Sequence, residues 1–279
     1  MYSKLMFERD LRLLEESGAK IFTIGYTLLG RPIKCAFKGS YEGGQVLVQA
    51  CMHAREYITT PLVIEMMKNY NGNGGIWCIP MVNIDGAYLC MEGLSSLKGD
   101  KNLEKFILNV NGGSEDFSTW KANARAVDLN VNWNARWGEG SQNVTYPSPG
   151  NYIGKYPLSE SENIALRDFT NRINPDVTLS YHAKGEVIYW GFECIKPYYD
   201  KAMRISNSTG YPLLESSYSA GGYKDWYTAT TFKLGLTIEV GDVDESFPIP
   251  LDRLPSIYEQ NKDVLNIASV IANEIRSES

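Results

Sequence analysis

Histidine is almost absent from this chain, with two in 279 residues, so any imidazole chemistry must run through His53 and His182. The five cysteines, Cys35, Cys51, Cys78, Cys90 and Cys194, contain no CxxC pair. That excludes thiolate zinc and dithiol redox motifs and suits free thiols in a reducing compartment. No stretch approaches the roughly 20 apolar residues that span a bilayer. The first segment, "MYSKLMFERDLRLLEESG", carries Glu8, Arg9, Asp10 and Arg12 where a secretory signal would be uninterrupted and apolar. It reads as an amphipathic helix, and a cytoplasmic protein is expected. Dense Lys/Arg clusters are also missing and the formal charge is -6, which argues against nucleic acid or an anionic membrane as partner. There is no internal repeat, and no Pro/Gly/Ser linker separates two cores, so residues 1–279 are expected to form one domain.

What is present is a core-forming pattern, since hydrophobic residues make up 43% of the chain. Strand-like runs, "IKCAF", "QVLVQA", "GIWCIPMV", "DVTLSY", "EVIYW" and "LGLTIEV", alternate with helical ones, "YITTPLVIEMMKNY", "SESENIALRDFTNRI", "PYYDKAMRISNS" and the tail over 254–275. That alternation predicts an α/β layer sandwich. Ser159 and Glu162 are spaced as a capping box for the second helix, and Asn174-Pro175 marks its end. Two polar stretches, roughly 86–127 and 138–157, break the alternation, and loops of that length in a compact domain are usually functional or mobile.

The two histidines occupy equivalent places. His53 follows "QVLVQA" and His182 follows "DVTLSY", so both are expected just past the ends of buried strands, where open α/β sheets collect ligands. Glu56 lies three positions after His53, a spacing that lets both share one face of a turn. His53, Glu56 and His182 form a two-histidine, one-carboxylate set, the donor type of catalytic zinc with one position left for water. Tyr57 is expected to pack beneath it.

"HAREYITTP", "WKANARAVDLNVNW", "LSYHAKG", "SYSAGGYKDWY" and "LTIEVGD", with "IGYTLLGRPI" and "PMVNIDG", resemble the zinc carboxypeptidase family in order and interval over nearly the whole chain. The resemblance implies a three-layer α/β fold with a central mixed sheet of about eight strands flanked by helices, one zinc ion, and hydrolysis of a peptide or amide bond. It implies that His53, Glu56 and His182 are the zinc ligands and Glu239 the catalytic carboxylate. A carboxylate in the apolar run "LGLTIEV" would be costly without such a use. Arg125 matches the arginine that stabilises charge on the carbonyl oxygen. Asp128 matches the carboxylate receiving the free ring N–H of the first zinc histidine.

The departures from the family pattern concern the substrate. Where digestive-type members have "NRNW" or "NRNF", this chain has "NVNW": Asn130 is kept, but Val131 replaces the arginine that grips a terminal carboxylate. Valine offers neither charge nor a hydrogen-bond fork. In "GGYKDW", Lys224 falls at the base of the pocket for the group after the scissile bond and would favour a negatively charged side chain there. The mobile tyrosine aligns with Tyr218, or by strict count with Ser217. Members with the arginine replaced include enzymes that split the bond between γ-D-glutamate and meso-diaminopimelate in bacterial stem peptides, and a muropeptide substrate is the expectation. The alternatives are a general zinc carboxypeptidase or an amino-acid deacylase with an acidic substrate, and a non-catalytic zinc-binding recognition protein, which would need neither Glu239 nor Arg125. The oligomeric state is not legible in the sequence.

If the missing grip is what excludes ordinary peptides, Val131→Arg should raise kcat/KM on a plain hydrophobic-ended peptide. An unchanged value in a side-by-side hydrolysis assay would place the exclusion elsewhere, such as in the 138–157 loop.

Overall fold

Eight strands pair into one sheet in the order β1-β2-β4-β3-β5-β8-β6-β7 in a computed structural model that describes residues 2–216 and 220–278. In chain order the elements are α1 (Lys4–Glu16), β1 (Lys20–Tyr26), β2 (Pro32–Gly39), β3 (Gln45–Ala50), α2 (Thr59–Lys68), β4 (Gly75–Ile79), α3 (Ile84–Glu92), α4 (Lys101–Val110), α5 (Ser161–Ile173), β5 (Val177–Ala183), β6 (Val187–Trp190), α6 (Tyr199–Thr209), β7 (Leu213–Glu215), α7 (Tyr223–Thr231), β8 (Leu234–Val240), α8 (Leu254–Asn261) and α9 (Val264–Glu278). The central strands β4, β3, β5 and β8 are parallel, and antiparallel pairs β1-β2, β2-β4 and β6-β8 make the sheet mixed.

Burial on both faces explains why β3 and β5 read as almost unbroken apolar runs: every residue of each is buried. The pleat of β5 separates the helical layers. Thr178 faces α7 near Tyr223, whereas Tyr181 points the other way and its hydroxyl donates to Asn261 of α8 at 3.2 Å. Thr170 of α5 meets the Tyr223 hydroxyl at 3.1 Å, so α5 and α7 share one face. On the other, α8 packs against α2 and α6, and α6 against α9. The three-layer sandwich with a mixed eight-stranded sheet is therefore present. Among the described residues no helix is long and apolar enough to cross a membrane.

Several elements differ from their sequence pattern. β1, β7 and α7 form without having been legible, and "GIWCIPMV" is a strand only as far as Ile79, because Pro80 has no N–H to continue the ladder. The 86–127 stretch is largely structured: α3 and α4 enclose a satellite core of Leu89, Leu97, Ile107, Phe117 and Trp120. The single tail helix is two, broken after Asn261, whose buried amide donates to Ile257 O at 2.9 Å and the Tyr211 hydroxyl at 3.2 Å. Asn174 does end α5, in the left-handed conformation that often closes helices.

The capping box fails. Glu160 takes the cap position, with no side-chain cap bond; the Ser159 hydroxyl donates to Glu160 Oε1 at 2.7 Å, and Glu162 turns inward to be 1% exposed. Burial, with Asp85 and Glu160 adding repulsion, pushes the Glu162 carboxyl up to about 7. A folded-state value above the unfolded one means that folded protein holds this proton more tightly. Stability then falls as pH rises from the ordinary carboxylate range through about 7. Glu162→Gln should remove that slope. In urea unfolding, the variant's advantage over wild type should grow by on the order of 3 kcal/mol between about pH 5 and pH 8; an equal difference at both pH values would contradict the buried-carboxyl account.

Candidate metal and catalytic site

Register places the site. β3 and β5 are parallel neighbours with Ala50 opposite Tyr181, and β5 and β8 are parallel neighbours with His182 opposite Glu239. Parallel strands end on the same edge, so the turn after β3, the end of β5 and the end of β8 meet there. His182 lies within the last two residues of β5, not beyond its end as the sequence pattern suggested. Because directly paired residues share a face, His182 and Glu239 stand side by side. After Ala50 the chain enters a one-turn 3-10 helix, Ala54–Glu56, which carries Glu56 back over His53.

The three side chains converge tightly. His53 Nδ1 is 2.8 Å from Glu56 Oε1, His182 Nδ1 is 3.0 Å from Glu56 Oε2, and the two Nδ1 atoms are 3.2 Å apart. The backbone N–H of Ala183 also donates to Glu56 Oε2, at 3.2 Å. All three side chains are buried. Two imidazole nitrogens at this separation can coexist as neutral rings only if one carries its proton on that atom. A cation among them would instead accept both lone pairs and the carboxylate charge. The residues thus fit a metal ion, and their donor atoms lie within 4.8 Å of one another, alone in this among the described residues.

Asp128 lies beside the ring of His53. Its Oδ1 lies 3.2 Å from His53 Nε2 and accepts the Asn130 N–H at 3.0 Å; its Oδ2 meets Lys121 Nζ at 2.8 Å and accepts the Asn151 N–H at 3.1 Å. The carboxylate therefore orients the ring and anchors the 3-10 turn Leu129–Val131 at once. Tyr57 is buried against the same core.

The electrostatics follow from burial set against opposite charge. Burial alone would raise the Glu56 carboxyl, but His53 and His182 outweigh it and hold the group well below the usual range. Burial would likewise raise Asp128, yet Lys121 and then His53 pull it down. Burial disfavours the His53 cation, and the Glu56 and Asp128 carboxylates still shift that ring upward. Glu239 behaves oppositely. Desolvation raises it to about 7, with His182 opposing and Glu56 assisting. Two neighbouring carboxyls are thus driven apart, one fixed as an anion and one poised to exchange a proton near neutrality.

The other expected residues are more scattered. Arg125 is exposed, and its Nε is 3.8 Å from Glu160 Oε2, in a surface groove with Phe106, Tyr152 and Tyr156. The cations whose fields reach Glu239 are instead Lys121 and Arg55, both missed by sequence reasoning. Arg55 sits between the ligands in "HARE", with its guanidinium 4.1 Å above the Phe247 ring, and Lys121 opens "KANARAVD", pinned where the Ala54 N–H donates to its carbonyl at 3.0 Å. Those positions beside the metal motif were the available signal. Asn130 Oδ1 accepts the Tyr223 N–H at 3.1 Å at the start of α7. Val131 is half-buried, and its carbonyl lies so close to Gly221 that a β-carbon there would stand 2.7 Å away. Lys224 is 4% exposed, not a solvated lysine; Nζ donates to Gly191 O at 2.6 Å and Ser216 Oγ at 2.9 Å and pairs with Asp225. Tyr218 and Ser217 lie outside the described residues.

A sequence profile described as zinc carboxypeptidase matches residues 7–264. Gamma-D-glutamyl-L-diamino acid endopeptidase 1 of Lysinibacillus sphaericus is 32% identical over 258 residues, covering 85% of this chain and 64% of that protein. The uncharacterized protein YqgT of Bacillus subtilis strain 168 is 30% identical over 266 residues, covering 87% and 69%. The chain thus spans about two thirds of the length of these relatives. Among solved structures, carboxypeptidase A from Helicoverpa armigera superposes with a TM-score of 0.76 at 16% identity, covering 100% of this chain and 75% of that one. Murein-tripeptide amidase MpaA from Escherichia coli O157 gives 0.59 at 21% identity, covering 91% and 94%. The structural likenesses establish the fold.

Asp128→Asn keeps the shape of the side chain but removes the charge facing His53 and Lys121. Zinc affinity should fall about 10- to 100-fold, read by competition with a chromogenic chelator. Undiminished affinity would mean that His53 is oriented without it.

Proposed function

Because the chain belongs to the zinc carboxypeptidase family, we propose that this metallopeptidase cleaves bacterial cell-wall stem peptides at the γ-D-glutamyl–meso-diaminopimelate bond. The observation that carries the hydrolytic part is the register pairing of Glu239 with His182 beside a three-donor metal cluster. His53, Glu56 and His182 would hold one zinc ion, which supplies Lewis-acid polarisation of the scissile carbonyl and acidification of water.

The protein's own groups do the rest. Glu239, raised toward neutrality by burial, takes the proton of the attacking water and delivers it to the departing amine. Arg55 and Lys121 supply fixed positive charge for the carbonyl oxygen as it becomes anionic, a task that Arg125, exposed and turned toward Glu160, is less well placed to perform. Asp128 keeps His53 in one orientation, so the donor set does not have to reorganise during turnover.

The substrate assignment draws on Val131, on Lys224 and on the named relative. Without an arginine at position 131 the segment beside Asn130 has no fork for a free terminal carboxylate. Recognition must then draw on the side chain after the scissile bond, and Lys224 stands at the base of that region. The relative from Lysinibacillus sphaericus is named for cleavage between γ-D-glutamate and a diamino acid, and a muropeptide is such a substrate.

Mass-spectrometric product analysis tests the reading. Zinc-loaded protein should release diaminopimelate-containing fragments from a muropeptide tripeptide or tetrapeptide and leave a hydrophobic-ended peptide intact. Glu239→Gln should retain zinc while losing several orders of magnitude in turnover. Trimming of the ordinary peptide would overturn the substrate assignment, and full activity of the variant would overturn the role of Glu239.

A further inference from the structure

Asn83 stands at the cap of α3, and every polar valence of its side chain is used. Oδ1 accepts the Gly86 N–H at 3.0 Å and closes the first turn of the helix. The two Nδ2 hydrogens go to two other segments, one to Met52 O and one to Ala122 O, each at 3.1 Å. An amide offers one acceptor and two donors from neighbouring atoms, and Asn83 is 0% exposed, so water does not compete for either carbonyl. The same partners fix its orientation, because a reversed amide would set its oxygen against two carbonyl oxygens.

Both carbonyls adjoin residues of the site. Met52 precedes the metal donor His53, and Ala122 follows Lys121, whose charge reaches Glu239. The amide therefore ties the turn carrying the donors to the segment carrying the cation. The turn has other braces. The backbone N–H groups of Val82 and Asn83 donate to Ala50 O and Cys51 O at 3.1 and 3.0 Å. The Thr59 hydroxyl accepts the Cys51 N–H at 3.0 Å and donates to Glu56 O at 2.8 Å. At Lys121 and Ala122 the backbone is held by less: both N–H groups share the Pro149 carbonyl at 2.9 Å, and Lys121 O accepts the Ala54 N–H at 3.0 Å.

The approach of α3 to this segment is close. A β-carbon at Gly86 would stand 2.4 Å from Ala122 O, so a larger residue there would push the cation segment away. The far end of the Lys121 side chain is anchored separately, with Nζ 2.8 Å from Asp128 Oδ2 and 3.1 Å from Asn151 Oδ1. We propose that Asn83 is a positioning residue for Lys121, its amide setting the root of that side chain against the metal-donor turn. The inference rests on the proposed function in taking Lys121 as a cation that stabilises charge on the carbonyl oxygen.

Asn83→Ser keeps a good helix cap and removes both bridging donors; Asn83→Asp does the same with the volume retained. Asn273→Ser, which removes an amide that accepts the Gly44 N–H at 2.7 Å before the start of β3, at the end away from the site, controls for lost stability. All are assayed below their unfolding temperatures. In the Asn83 variants the Ala54 amide should exchange hydrogen faster while the Cys51 amide does not, and zinc affinity, read by chelator competition, should be unchanged. Turnover of whichever peptide wild type hydrolyses, muropeptide or hydrophobic-ended, should fall about 100-fold in kcat, the scale of a 1 Å misplacement, with KM unchanged. In a Lys121→Met background the Asn83 substitutions should cost nothing more. Unchanged Ala54 exchange, a loss of zinc affinity matching the loss of kcat, an equal loss in Asn273→Ser, or an additive loss beside Lys121→Met would each overturn the proposal. Full kcat in Lys121→Met alone would overturn the cation's role in the proposed function, and the inference with it; so would hydrolysis of neither peptide by wild type.

Discussion

The structure depends on a single register, in which three parallel strands, β3, β5 and β8, end at one edge with His182 directly opposite Glu239. Everything chemical is attached to that alignment. Slipping β8 by one residue would turn Glu239 to the opposite face and leave His182 beside an apolar side chain. The register is in turn held by burial on both faces: Val46, Leu47 and Val48 of β3, Leu179 of β5, and Leu236 and Ile238 of β8 are all 0% exposed. A one-residue shift would therefore misplace core side chains along with the site. Stability of the sheet and geometry of the site are the same constraint seen from two ends.

That constraint makes the cost of the site concrete. Glu56, Asp128, His53 and His182 are all buried, and desolvation of such groups is tolerated only where opposite charge or hydrogen bonds offset it. Here the offsets are local and reciprocal. Asp128 is shared between His53 and Lys121, and Glu56 between two imidazoles and the Ala183 N–H. A metal ion would extend this scheme, replacing contacts between nitrogen lone pairs with contacts to positive charge. Among the described residues Glu239 has no such tight partner, so desolvation prevails and its carboxyl rises. The difference between a carboxyl held as an anion and one raised toward neutrality therefore comes from environment alone.

The legibility of these features in sequence follows the same physics. β3, β5 and β8 announced themselves because strands buried on both faces must be apolar throughout, and the candidate metal-holding cluster was visible because histidine is so scarce that both copies mattered. Elements whose character depends on tertiary contacts were hidden. β1 lies at the sheet edge and is only partly buried along its length; α7, "YKDWYTATT", is rich in aromatic and threonine residues of weak helix propensity. Glu162 had the spacing of a capping residue, but its side chain is buried instead, with the hydroxyl of the exposed Ser161 donating to it at 3.0 Å. Lys121 and Arg55 could not be ranked above Arg125 from spacing, because what separates them is distance through the fold rather than along the chain.

Val131 and the buried Lys224 are joined through the fold. Gly221 passes against the Val131 carbonyl, Asn130 ties down the start of α7, and α7 carries Lys224 across Gly235. On the proposed reading, valine at 131 offers no charge to a substrate's terminus. Lys224, crossing Gly235, places buried polarity about 13 Å along β8 from Glu239. The proposed reading thus moves discrimination from the end of the main chain to the end of a side chain, because position 131 holds no cation for a terminal carboxylate while the nearest buried ammonium lies farther along β8.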